Sequence, residues 1–408
     1  MDKNPSQRKY SVGGVLLDRP FKIRRLGHFG LNVKSTKNSI EFYCNLLGFR
    51  ISDPMDISKM VPNGDELKKI GDPCMYFTRH GTDHHSLVFM QRNIFEALGR
   101  NTLLGKDVTV NQLTWQVNSL CQITDAIDYF ENLNVPVSRS GRDMPGSNWH
   151  VYPYDPEGHR NELYYGIEQI GWLGRSKPSK AYDRGFHQRP ELPQIPEYLE
   201  VKKLTEAGEN LTSGFQHPEN NDPIYDVEGI LLPRPFKVVR VGPIGLFCKN
   251  IDLIADFYIR ILGFKITQEI VWTGYTCKFL TCNTEHHSLA LYPIELRSKL
   301  EYPFETTTMS FGIEISSYEQ LRNAVHYLRK QGCKFFEIPA ELTPGIAYAA
   351  YLIDPCGHIL QLYFGMQQIS SNRESNYLVP NIKWESWPPE VADFVGSYEG
   401  ETFLGPLG

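Results

Sequence analysis

What this chain lacks narrows it first. It has no C-x-x-C pair, no apolar run long enough to span a bilayer, and no long run of like charge. The eight cysteines (Cys44, Cys74, Cys121, Cys248, Cys277, Cys282, Cys333 and Cys356) are scattered over 408 residues, which excludes zinc-ribbon and thioredoxin-type motifs. Most lie in apolar stretches, where buried free thiols are expected, and a reducing, cytoplasmic compartment fits that usage. Basic residues do not outnumber acidic ones, 42 against 47, and the net charge is −5, so nothing marks a nucleic-acid partner. Residues 1–22 are polar, without an apolar h-region, so neither a secretory leader nor a membrane partner is expected. What is present, 41% hydrophobic and 12% aromatic residues, is ample for two compact domains with real cores.

The chain repeats itself. GVLLDRPFKIRRLGHFGL at 14–31 returns as GILLPRPFKVVRVGPIGL at 229–246, and FYCNLLGFRI at 42–51 returns as FYIRILGFKI at 257–266. DHHSLVFM at 83–90 returns as EHHSLALY, and DPEGHRNELYYG at 155–166 as DPCGHILQLYFG. Four matches in one order establish a duplication.

Each half divides again. A strand at 26–33 precedes an amphipathic helix with apolar Ile40, Phe42, Tyr43, Leu46 and Leu47, stopped by Gly48. Strands follow at 49–51, 75–78 and 86–90, then an insert at 91–108. The order recurs as strand 113–117, helix 123–133, and strands 135–138, 150–154 and 161–165. The expected fold is α+β: four βαβββ modules in tandem, forming two open β-barrel domains at 14–170 and 229–366. A Pro- and charge-rich connector, 171–228, with one helix near 196–207, separates them. The tail, 367–408, is expected to pack across the body.

GHFGLNV, LLGF, DHHSLVF and GRDMPGSNWHVYPYDPEGHRNELYYG together resemble the type I extradiol ring-cleaving dioxygenases of the vicinal oxygen chelate superfamily. The resemblance implies a site in which two histidines and a carboxylate hold Fe(II) and leave positions open for a catecholate and dioxygen. His28 matches the first histidine and Glu162 the carboxylate. Alternation along the last strand puts Glu162 and Tyr164 on one face, and a carboxylate inside ELYYG is costly to bury unless paired or metal-bound.

This chain departs from the pattern at the second histidine, where Gln112 stands. An amide oxygen is a weaker, harder donor than imidazole, so another divalent metal (Mn, Zn, Ni or Co) or completion by His85 is an alternative. The resemblance otherwise makes His85 the acid/base beside the substrate and Tyr152 the residue that orients it. Asp143 replaces a family histidine nine residues before Tyr152, and Trp149, His150 and Asp143 are the candidate substrate contacts. Trp115, Trp149 and Tyr164 are expected as apolar walls. His159 and its repeat His358 are expected as turn residues. In the second half Pro243 replaces His28, Gln361 replaces Glu162 and position 112 maps to about Ser310, so that half is expected to be a structural remnant.

The expected activity is extradiol cleavage of a small aromatic substrate with dioxygen. The alternatives are a non-oxidative metal-dependent isomerase or lyase of the glyoxalase type, and a non-catalytic binding protein. Analogy with the superfamily allows a homo-oligomer.

Overall fold

The structure, a computed structural model, describes residues 9–99, 108–182, 184–369 and 382–391. A short hairpin, β1 (Tyr10–Val12) and β2 (Val15–Leu17), leads into the first half. Its elements are β3 (Arg25–Val33), α1 (Thr36–Ile40), β4 (Arg50–Asp56), α2 (Gly64–Ile70), β5 (Cys74–Arg79), β6 (Leu87–Gln91), α3 (Arg92–Ala97), β7 (Val110–Gln116), α4 (Leu120–Asn132), β8 (Val137–Arg142), β9 (Trp149–Pro153) and β10 (Asn161–Tyr165). The connector carries α5 (Glu197–Glu206). A second hairpin, β11 (Tyr225–Val227) and β12 (Ile230–Leu232), opens the second half. There follow β13 (Val238–Cys248), α6 (Ile251–Asp256), β14 (Lys265–Trp272), β15 (Tyr275–Thr281), β16 (Leu289–Pro293), α7 (Glu295–Lys299), β17 (Thr308–Ile315), α8 (Tyr318–Lys330), β18 (Lys334–Phe336), β19 (Ile346–Ile353) and β20 (Ile359–Met366).

Each half is one eight-stranded mixed sheet, and the two orders are the same: β4-β5-β6-β3-β7-β10-β9-β8 and β14-β15-β16-β13-β17-β20-β19-β18. Neither sheet closes, and the fold is the expected α+β duplication. Strand β4 runs on past Pro54 because it is an edge strand, where a missing N–H leaves no ladder bond unmade. Helix α2 escaped the sequence reading because its segment, GDELKKI, is polar and buries only Gly64 and Leu67. The insert holds α3, and residues 100–107 lie outside the described residues.

The halves share one core. Trp115, buried on β7, packs edge-on against Phe264 and Tyr258 of the second half and donates from Nε1 to Asn161 Oδ1 at 2.8 Å. The two D-P-x-G-H loops clamp this junction. Asp155 accepts from the backbone of Glu157 and His159 and pairs with His159 Nδ1 at 2.9 Å. Asp354 does the same for Cys356 and His358, and also accepts from Tyr43 of the other half at 3.0 Å. His159 and His358 thus hold turns. Of the tail, 382–391 lies against the second half, where Trp387 is buried beside Tyr318 and Tyr348. All eight cysteines are free, five of them buried. No helix among the described residues is long and apolar enough to cross a membrane.

Burial holds the His286 imidazole down to about 4. In the unfolded chain it protonates near ~6.5, so between those values the unfolded state binds the extra proton. Stability should therefore fall as pH drops through this window, by up to about 1.4 kcal/mol per pH unit for this one proton. Urea denaturation across the window should show a shallower slope for His286→Gln. Equal slopes would contradict the assignment.

Candidate metal centre

Strands β3, β7 and β10 lie side by side in the middle of the first sheet. The β3–β7 pairing slips between Leu26 and Phe29, and His28 sits in that bulge. Thr114 fills the gap: its Oγ1 accepts from His28 N at 2.7 Å and donates to His28 O at 2.5 Å. Thr114 is also the register partner of Glu162 on β10. One threonine therefore sets imidazole and carboxylate on neighbouring positions. Gln112 pairs with Gly30, where any Cβ would collide with Asn111 Oδ1 and lie 2.9 Å from Gln112 Cγ. Only glycine leaves those two amides their room.

His28 Nε2 lies 3.3 Å from Glu162 Oε2, with both side chains at most 1% exposed. Neither atom makes a hydrogen bond, nor does His28 Nδ1. The other carboxylate oxygen accepts from Asn148 Nδ2 at 2.6 Å. Buried polar atoms left this way cost on the order of 1–3 kcal/mol each unless something satisfies them. Two donors bound at ~2.1 Å to one ion, roughly at right angles, stand about 3 Å apart. The spacing and the orphaned atoms fit a shared divalent ion, with His28 and Glu162 as donors. Gln112 is half-buried in the wall of the same cavity and can offer its amide oxygen.

His85 stands edge-on to His28, ring centroids 4.2 Å apart. Behind it runs a relay. His84 Nε2 lies 2.8 Å from Asp53 Oδ2 and His84 Nδ1 lies 3.0 Å from His85 Nδ1. With the carboxylate accepting the first proton, His84 Nδ1 must accept from His85, which leaves His85 Nε2 as a lone pair. Burial, then His28 and His84, hold the His85 imidazole well below its ordinary value, so it is a neutral base. Ser176 of the connector donates to the other Asp53 oxygen at 3.1 Å.

Across the cavity, Asp143 accepts from Arg139 at 2.6 Å and from the Tyr152 hydroxyl at 2.8 Å. Burial pushes this carboxyl up, but Arg139, His150 and the two hydrogen bonds outweigh it and hold it well below the usual range. Tyr152 has thus committed its proton to Asp143 and can offer a ligand only an acceptor. Asp143, His150 and His187 also bring donor atoms within 4.8 Å of one another. Arg139 already occupies that carboxylate, which disfavours a second cation there.

The cavity measures about 280 Å³. Two expectations about its lining need correction. Trp115 faces the other half, and Trp149 lies under Arg142 and against Phe186, away from the cavity. His150 is on the Tyr152 face but stands behind Asp143, and Tyr164 sits beside His28 at 5.1 Å without lining the cavity. Period-two alternation sends Trp149 and Val151 to the helix side and puts His150 and Tyr152 inside. The walls are instead Phe77, Phe95, Ile57, Val61, Val88 and five of the chain's eight methionines: Met55, Met60, Met75, Met90 and Met144. Such unbranched, polarizable side chains suit a flat apolar guest.

The second half shows the same scaffold filled in. Gln361 donates to Tyr351 at 2.8 Å, and Pro243 offers no donor. Register equates Asn32 with Phe247, Met90 with Tyr292 and Asn111 with Met309, and Phe247, Tyr292 and Met309 pack into one apolar cluster with Tyr302 against it. The His286–His287 pair persists at 2.9 Å, but with Gln268 where Asp53 stands in the first half.

The family model of the Glyoxalase/Bleomycin resistance protein/Dioxygenase superfamily matches residues 25–163 and 240–362. The chain belongs to this superfamily. Among solved structures, the 2,3-dioxygenase LapB from Pseudomonas sp. KL28 matches at TM-score 0.54 and 15% identity, covering 86% of this chain and 96% of that one. The Mn(II)-bound glyoxalase from Novosphingobium aromaticivorans matches at TM-score 0.53 and 13% identity, over 87% and 86%. At these identities the likeness establishes the fold alone. The 2,2',3-trihydroxybiphenyl dioxygenase of Sphingomonas paucimobilis is 26% identical over 114 residues, 28% of this chain and 37% of that relative.

Purified protein should hold one divalent metal per chain by plasma mass spectrometry. His28→Ala and Glu162→Ala should abolish it, and Asn148→Ala, which frees the carboxylate, should weaken affinity roughly 10–100-fold. Unchanged metal content in Glu162→Ala would contradict the site.

Proposed function

We propose that this protein is a metal-dependent extradiol-type dioxygenase that cleaves a catechol-like ring, with His28, Glu162 and Gln112 holding the metal. One observation carries the reading: two buried, unbonded donor atoms 3.3 Å apart, on a histidine that lines the cavity and the carboxylate beside it. When bound, a divalent ion, Fe(II) foremost, supplies a Lewis acid that chelates paired substrate oxygens and brings dioxygen beside the ring.

The protein's own groups do the rest. His85 Nε2 takes the first hydroxyl proton, and the resulting cation is stabilised through His84 by the Asp53 carboxylate. Holding that proton in a water-poor cavity, His85 can return it to the product side. Tyr152, its own proton given to Asp143, accepts from a substrate hydroxyl and so fixes the ring's orientation. The methionine wall grips the ring's faces and keeps water out. The dioxygenases among the relatives support the ring-cleaving choice.

A second reading rests on Gln112. Its hard amide oxygen suits Mn, Zn, Ni or Co and enediolate chemistry of the glyoxalase type, and a Mn(II)-bound glyoxalase shares the fold. Metal identity separates the two: oxygen-sensitive iron supports cleavage, tightly held zinc or nickel supports isomerisation.

Protein reconstituted anaerobically with Fe(II) and then given air should turn a catechol into a yellow ring-opened product with matching oxygen uptake. His85→Gln should keep its metal and lose roughly 10²–10⁴ in kcat. No colour and no oxygen uptake across mono- and bicyclic catechols would overturn the proposal.

A further inference from the structure

The cavity contains a guanidinium that forms no ion pair with a carboxylate among the described residues. Arg160 precedes β10, is only 7% exposed, and lines the cavity. Its Nε donates to Asn111 O at 3.1 Å, and its plane lies 5.2 Å from the Tyr152 ring centroid. Neighbouring arginines are handled differently. Arg139, 4.4 Å from the same ring, is paired with Asp143, and Arg142 makes a two-pronged pair with Glu200 at 2.8 and 3.1 Å. Arg160 pairs with no carboxylate among the described residues. An uncompensated buried cation is strongly unfavourable until a counter-charge arrives. In the second half, where the hollow is filled, register puts apolar Ile359 at this position.

We propose that Arg160 is an anion subsite, and that the substrate is a catechol carrying a carboxylate on a short side chain. The catechol half of this statement rests on the function proposed above. The subsite rests on Arg160 alone. Arg160 and Glu162 are two residues apart with both side chains inward, so their backbones are about 6.8 Å apart. A carboxylate bound at Arg160 would therefore share the cavity with the candidate metal donor His28. The guanidinium's terminal nitrogens match a carboxylate in bidentate fashion, with Asn111 and Tyr152 fixing the plane. The charge balance agrees. Arg139 and Asp143 cancel, Glu162 leaves one unit of a divalent ion uncompensated, and Arg160 adds another. A singly ionised catechol with one carboxylate supplies two negative charges.

The test uses metal-loaded full-length protein under anaerobic conditions, titrated calorimetrically with 3,4-dihydroxyphenylacetate, 3,4-dihydroxybenzoate, their methyl esters and unsubstituted catechol. An acid should bind roughly 10–100-fold more tightly than its ester. Arg160→Met should bring that ratio near unity while leaving ester affinity unchanged, and Arg160→Lys should keep part of it. Ile359 shows that this fold accepts an apolar side chain there, and a thermal melt confirms folding of each variant. Equal affinity for acid and ester in the unaltered protein would overturn the subsite. So would equal losses of both in Arg160→Met, since the arginine would then act on the shared catechol oxygens. If no catechol binds, acidic or neutral, the proposed function and the substrate assignment built on it fall together.

Discussion

An imidazole nitrogen and a carboxylate oxygen, sealed from solvent 3.3 Å apart with no hydrogen bond between them, constrain everything built around them. Their proximity is produced by backbone, through the bulge in β3 that Thr114 bridges and the β7–β10 pairing that sets Glu162 opposite that threonine. Asn148 satisfies one carboxylate oxygen and leaves the other facing the histidine. A group this costly to bury persists only where something compensates it, and a shared cation would do so for both residues at once.

The duplicated half works as an internal comparison. Its strands, helices and paired histidines follow the first half, so those features belong to the scaffold. What differs is the chemistry. The donors become Pro243 and Gln361, Asp53 becomes Gln268, Arg160 becomes Ile359, and the open space is occupied by Phe247, Tyr292, Met309 and Tyr302. The candidate metal donors and the anion behind the histidine pair are replaced together, in the half where apolar side chains pack at the cavity positions. The second half packs against the first instead: Trp115, Tyr258 and Phe264 make the two sheets share a core.

Much of the fold was legible because internal repetition and period-two alternation are strong signals. Strand 161–165 was read to the residue, and the helix at 197–206 fell where the connector reading put one. Helix α2 was not legible, since a polar exposed helix has no apolar period. For the candidate site, resemblance pointed to His28, Glu162, Gln112 and His85, of which His28, Gln112 and His85 line one cavity and Glu162 lies against His28. The aromatic walls were misjudged because Trp149 lies on the outward phase of β9 and Trp115 was free to serve the junction between halves. Arg160 was within reach, sharing the inward phase with Glu162. Asp53, thirty-one residues before His84, carried no sequence signal and emerges only from the β4–β5–β6 geometry.

The most direct measurement is an anomalous-scattering map from an anaerobically grown crystal, collected on both sides of the metal's absorption edge. The account predicts one peak, bonded to His28 Nε2 and Glu162 Oε2 in the first half, with no counterpart beside Pro243 and Gln361. A map without a peak there, with the imidazole hydrogen-bonded directly to the carboxylate, would contradict it.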